Sequence, residues 1–223
     1  MIEYLQHGRI RLALHQLKTF AEKALPAAHP LLMLHGLGES SGTHAEATFS
    51  GWPGPVYALD FTGHGVSTIP RGGGYSSEAL MADADIALAH LGQATLCARG
   101  LGAYVGVLLA GARPEQVLGT ILLDGPGLAG ACPMSTPYIP AVQPQSASAP
   151  DSFALAELAT EHRPPPYALH FARLAAEHSP LDEPIAICLR EDPAWLREVR
   201  ERLQLSSITL DAAFERFSRP KAV

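Results

Sequence analysis

The stretch "QATLCARGLGAYVGVLLAGA", residues 93–112, divides at its glycines. Residues 93–100 make a short, continuous apolar run, the pattern of a strand buried on both faces. Leu101 to Ala112 is apolar nearly all round, the pattern of a central helix. A buried strand that turns through glycine directly into a buried helix belongs to a parallel sheet, and its turn lies at the carboxyl end of the strand, where such sheets bind ligands.

Four further runs read the same way outward from this one: "HPLLMLHG" (29–36), "GPVYALD" (54–60), "LGTILLDG" (118–125) and "EPIAICLRE" (183–191). Between them, Leu80, Ala84, Ala87, Leu88 and Leu91 share one helical face after a cap at Ser76 or Ser77. The alternation predicts an α/β fold, a mostly parallel twisted sheet with helices on both faces. Ahead of it, Tyr4 to Leu17 forms two short runs broken at Gly8, which predicts an antiparallel hairpin. The rhythm breaks between Pro126 and Asp182, a stretch that opens with the Pro/Ser/Gln-rich "PMSTPYIPAVQPQSASAPDS" and closes with two helical segments around "RPPP". We read 126–182 as a small cap-like insertion over the strand ends within a single domain, 1–223; an irregular surface excursion is the other reading.

With 223 residues, 47% hydrophobic and 17% charged, the chain is long enough to bury one sizeable core. A formal charge of -6 argues against a nucleic-acid partner, which a basic surface would hold. Apolar runs fall short of the roughly 20 residues of a membrane helix, and the start lacks a signal-peptide core, so a soluble cytoplasmic protein with no membrane partner is expected. Cys97, Cys132 and Cys188 are odd in number and two lie in strand-like runs, which favours reduced thiols. Neither CxxC nor HExxH occurs and the histidines are scattered, so no metal and no cofactor are expected. A small-molecule ligand or substrate is the expected partner, and a homodimer is left open.

The motifs "LLMLHGLGES" (31–40), "VYALDFTGHGVS" (56–67), "CARGLGAYVGVLLAGARPEQVLGTILLDGPG" (97–127) and "PIAICLREDPAWL" (184–196) stand in this order and spacing. The chain thereby resembles the α/β-hydrolase superfamily over nearly its whole length, leading hairpin included. The resemblance implies that the loop His35-Gly36-Leu37 contributes to an oxyanion hole, Leu37 through its backbone N–H, with His35 either shaping or only bracing the loop. It makes His64 a loop-organising residue. The family's nucleophile elbow, G-x-S-x-G, falls on Ala98-Arg99-Gly100-Leu101-Gly102, with the Leu101 N–H as second oxyanion donor and Gly100 at the serine position. Glycine has no side chain with which to attack a carbonyl, and it tolerates the turn's positive φ. Cys97, three positions earlier, reads as a buried strand residue.

By the same resemblance Asp192, next to Glu191, stands at the acid position, although a helix cap before Pro193 would also explain it; Asp124 is the alternative acid. The family's histidine follows the last strand. Here "SSITL" (206–210) is followed by "DAAFERFSRPKAV", which contains no histidine, and the expected position falls near Ala212, Ala213 or Phe214. His162, His170 and His178 read as exposed helix faces. "RGGGY" (71–75) lacks the Gly-Lys-Ser/Thr of a phosphate loop, and Arg197, Arg200 and Arg202, alternating with Glu198 and Glu201, read as a solvated face.

The leading expectation is a degenerate, non-catalytic homologue that keeps the pocket and oxyanion loop for a small apolar or carbonyl ligand. One alternative is an active hydrolase, or a lyase or cofactor-free oxygenase, that uses a non-standard residue set. Another is an interaction protein that binds a partner through the cap surface.

Overall fold

Gly8, at φ 59°, turns β1 (Ile2–His7) antiparallel onto β2 (Ile10–Lys18), so the hairpin expected at the amino end is present. The structure is a computed structural model describing residues 1–19, 28–43, 46–128 and 149–218. Five apolar runs form β3 (Leu31–Leu34), β4 (Val56–Asp60), β5 (Ala94–Arg99), β6 (Val117–Leu123) and β7 (Ile185–Ile187). The sheet order is β1-β2-β4-β3-β5-β6-β7. β2 joins β4 antiparallel, and every later pairing is parallel. The expected mostly parallel sheet is therefore the observed one.

Six helices accompany it among the described residues: α1 (Ser77–Leu91), α2 (Leu101–Ala112), α3 (Ser152–Thr160), α4 (Pro165–His178), α5 (Ala194–Leu203) and α6 (Leu210–Ser218). Ser76 caps α1, its hydroxyl accepting from the Ala79 N–H. Alternate residues of each strand face opposite sides, so two apolar layers form. Leu32, Leu34, Leu96 and Leu122 pack with α1, α2, α4 and α5; Leu31, Met33, Cys97 and Ile121 pack with Trp52 and α6. α2, apolar throughout, lies against the sheet with α1 and α4 beside it, so almost every residue it has is buried.

The end of the chain differs from expectation. "SSITL" supplies only an isolated parallel bridge, Ser207 to Ile187, and α6 already begins at Leu210. Ser206 and Ser207 are exposed, so this segment has too little apolar surface to extend the sheet. Cys132 and residues 129–148, which include most of the Pro/Ser/Gln-rich stretch, lie outside the described residues. Cys97 and Cys188 are free thiols, and burial pushes the Cys97 thiol up to about 12. No helix among the described residues is long and apolar enough to cross a membrane.

Candidate functional site

Strand register brings three loops together. Leu34 pairs with Ala98, and Arg99 pairs with Leu123, so the chain leaves β3, β5 and β6 at the same level of the sheet. After β3 come His35, Gly36 and Leu37; after β5, Gly100 and Leu101; after β6, Asp124 to Gly127. The Leu37 N–H and the Leu101 N–H converge on one acceptor, the Pro126 carbonyl oxygen, at 3.0 and 2.9 Å. Gly100 precedes the first residue of α2 with φ 56° and ψ -121°, a region that residues with a Cβ occupy only under strain. A Cβ built on it would overlap the Pro126 carbonyl oxygen and lie 2.5 Å from the Gly125 carbonyl carbon. The position that the resemblance gives to a nucleophile is thus roofed by main chain.

Buried side chains hold these loops. The fully buried His35 accepts the Phe61 N–H at Nε2 (3.1 Å), so its proton sits on Nδ1, which donates to the Gly36 carbonyl at 2.8 Å. His64 works alike: Nε2 accepts from the Gly38 N–H at 3.3 Å while Nδ1 donates to the Thr62 carbonyl at 3.1 Å. Burial holds the His64 imidazole below its ordinary value, against the opposing pull of the Thr62 carbonyl and the charges of Asp60 and Asp151. A neutral ring is what these two bonds require. Glu39 accepts the Gly36 N–H at 2.9 Å and pairs with Arg99 at 3.2 Å; Arg99 in turn donates to the Asp124 carbonyl at 3.2 Å. Arg99, in the variable position of the elbow, therefore ties the ends of β3, β5 and β6 together.

The two carboxylates expected at the acid position, Asp192 and Asp124, are both engaged by arginines. Asp192 faces Arg200, with contacts of 2.6 and 2.8 Å, and Arg200 also donates to the Ser207 hydroxyl at 2.9 Å. Pro193, not Asp192, precedes α5, and no side-chain cap forms there. Arg200 consequently departs from the solvated face expected of it: two turns into α5, it points back to Asp192. Asp124 accepts the Arg190 N–H at 3.2 Å and its Nε at 3.1 Å. Neither carboxylate hydrogen-bonds a histidine among the described residues; His170 and His178 lie exposed on α4 as expected, whereas His162, also exposed, lies in the loop between α3 and α4 and not on a helix. The stretch expected to hold the missing histidine is part of α6, with Ala213 fully buried and Phe214 edge-on to Trp52 at 5.5 Å between ring centres.

Histidine–carboxylate pairs do occur, on the hairpin. His7 meets Asp83 at 2.8 Å and His15 meets Asp60 at 2.9 Å. Burial alone would raise the Asp60 carboxyl, but the Val66 and Ser41 N–H groups and His15 outweigh it and hold the group below its ordinary value. Asp60 and Asp83 thereby anchor Ser41, Thr62 and Val66, all in the loops flanking the site. A cavity of about 240 Å³ opens elsewhere, at the amino end of β7, between Pro184, Leu203, Gln204 and Arg216.

Pro126, Glu39 and Arg99 hold the three loops together, and the sequence reading assigned none of them that role. For Pro126 the available signal was "DGPG", which announces a tight turn after a strand without saying where its carbonyl points.

A model of the alpha/beta hydrolase family matches residues 31–222. Among curated proteins, none matches the sequence significantly. A membrane phospholipase A described as a bacterial virulence factor is similar in structure, with a TM-score of 0.54 at 21% identity over 93% of this chain and 76% of that one. That likeness is one of fold. A probable hydrolytic enzyme from Pseudomonas aeruginosa PAO1 is similar at 25% identity over 57% of this chain and 42% of its own, with a TM-score of 0.49. An epoxide hydrolase from Vigna radiata is similar at 23% identity over 56% of this chain and 38% of its own, with a TM-score of 0.48. The matched regions span about two fifths of these last two proteins.

Proposed function

Because the chain belongs to the alpha/beta hydrolase family, we propose that it is a member without hydrolytic chemistry, which uses the scaffold to hold a small apolar or carbonyl ligand. Gly100 carries this reading: the elbow turn is intact, yet the residue at its apex has no attacking atom, and main chain fills the space where one would stand. Acyl transfer by the family's route needs a serine oxygen, a histidine to take its proton, an acid to orient the histidine, and two N–H groups for the developing oxyanion. Of these, the two N–H donors remain, and both carboxylates at acid positions are bound to arginines.

A site lacking nucleophile and base retains only the oxyanion-hole and binding contributions. What a pair of convergent N–H groups does by itself is recognise an oxygen acceptor, which is why a carbonyl compound with an apolar body is the expected ligand class. The test is a panel of p-nitrophenyl esters of increasing acyl length, together with labelling by a fluorophosphonate. The reading expects buffer-level turnover and no label. Turnover above buffer that disappears in Asp124→Asn or Asp192→Asn overturns it.

A further inference from the structure

Resting on the non-catalytic reading, we propose that Gly125-Pro126-Gly127 is an autoinhibitory segment: its own peptide carbonyl fills the oxyanion hole, and an external carboxylate or carbonyl oxygen enters only in exchange for it. Three observations converge. First, the two donors come from different loops, after β3 and after β5, and meet on the one Pro126 oxygen at 3.0 and 2.9 Å, the geometry in which such donors hold a substrate oxygen. Second, close approach requires small residues on both sides. A Cβ at Gly125 would lie 2.7 Å from the Gly100 nitrogen, and one at Gly127, 2.8 Å from the Leu101 Cβ. Third, Gly100 is the condition for the contact, since any side chain there begins where the Pro126 oxygen sits.

Exchange rather than simple opening follows from hydrogen-bond accounting. Leu101 is fully buried, and a buried N–H left without an acceptor is costly, so the segment leaves readily only when another oxygen takes its place. Pro126 offers a neutral carbonyl, whereas a carboxylate makes the stronger, charge-assisted bonds to the same two donors. No covalent step is involved.

The experiment reads the two hydrogen bonds directly. In isotopically labelled full-length protein, through-hydrogen-bond couplings should connect the Leu37 and Leu101 nitrogens to the Pro126 carbonyl carbon. Gly100→Ala should abolish both couplings together and weaken butyrate binding by at least about tenfold, because a Cβ at 100 begins where either oxygen would sit. Absence of the couplings in the unmodified protein, or their survival in Gly100→Ala, overturns the proposal. So does their loss with butyrate binding undiminished. If Gly100→Ala does not fold, butyrate titrated into the unmodified protein must move the Leu37, Leu101 and Pro126 resonances together, and failure to do so overturns the exchange. Ester turnover plays no part in these readouts, so a failure here is distinct from a failure of the non-catalytic reading.

Discussion

The Pro126 carbonyl oxygen occupies the space in which a side chain at Gly100 would begin. A side chain at 100 and the carbonyl of Pro126 in its present place therefore exclude each other. The elbow turn itself is preserved, because the register of β5 with β3 and β6 and the bracing by Arg99 depend on backbone and on neighbours of residue 100, not on its side chain.

Restoring the serine is therefore expected to fail as a route to activity. Gly100→Ser places a Cβ on a positive-φ residue, at about 1–3 kcal/mol, and also drives out the 125–127 segment with loss of two hydrogen bonds, about 1 kcal/mol each. Urea denaturation should show destabilisation on the order of 3 kcal/mol. Adding Ala213→His does not help, because Ala213 is fully buried beside Phe214 and Phe217, and a larger polar ring there overpacks that layer. Ester hydrolysis by the double variant at rates well above buffer would refute this account.

The Asp192–Arg200 pair is expected to act on stability and not on chemistry. Both side chains are largely buried, and Arg200 also holds Ser207 at the point where the chain touches β7. Asp192→Asn should cost about 1–2 kcal/mol in urea denaturation and speed amide exchange at Ile208, whose N–H donates to the Ile187 carbonyl. The ester panel should not change. An unaltered denaturation midpoint would show that the pair is idle.

Acid should weaken the fold in two phases. Burial lowers the His29 imidazole to about 4 and keeps His64 below its ordinary value. Between about pH 6.5 and these folded values the unfolded chain binds more protons, so their contribution is present above about pH 6.5 and is lost as pH falls. Asp60, held below its ordinary value, contributes above about pH 3.9 and is lost as pH falls further. Asp83, whose carboxyl is raised chiefly by burial, acts in the opposite sense, so the comparison must be between variants. Thermal melts of His29→Gln from pH 7 to 4 should show a shallower decline in Tm than the parent; an equal decline would remove His29 as a cause.

The fold was legible because it is written in local pattern. Continuous apolar runs such as 29–36 and 118–125, each bounded by glycine or proline, can only be buried strands or short buried helices, and their length decides for strands. The elbow was legible for a related reason, since a strand, a spaced pair of glycines and an apolar helix are adjacent in sequence. What could not be read depends on the path the chain takes between partners. Arg200 alternates with glutamates and so resembles a solvated face, and only the path of the chain through Pro193 brings Asp192 within its reach. Nor does composition tell that the Pro126 carbonyl points at Leu37, 89 positions earlier in the chain. The direction of a single peptide plane carries no sequence signature beyond the glycines that permit it.

That dependence on backbone yields the last expectation, a contrast between neighbours. Pro126→Ala keeps the carbonyl and both flanking glycines. It loses only ring contact with Gly36, where a Cβ would come 2.6 Å from the proline Cδ, and some restriction of the unfolded chain. The cost should be about 0.5–1 kcal/mol, with both hydrogen bonds retained. Gly127→Ala keeps Pro126 but requires φ 104° of a residue with a Cβ, which would stand 2.8 Å from the Leu101 Cβ and 3.0 Å from the Leu37 Cβ. Strain and overlap together should cost about 2–4 kcal/mol. Because the overlap is with the two donor residues themselves, it should also expose the Leu37 and Leu101 amides to exchange. If proline removal proved the more damaging change, the ring and not the carbonyl would be what holds the segment in the site.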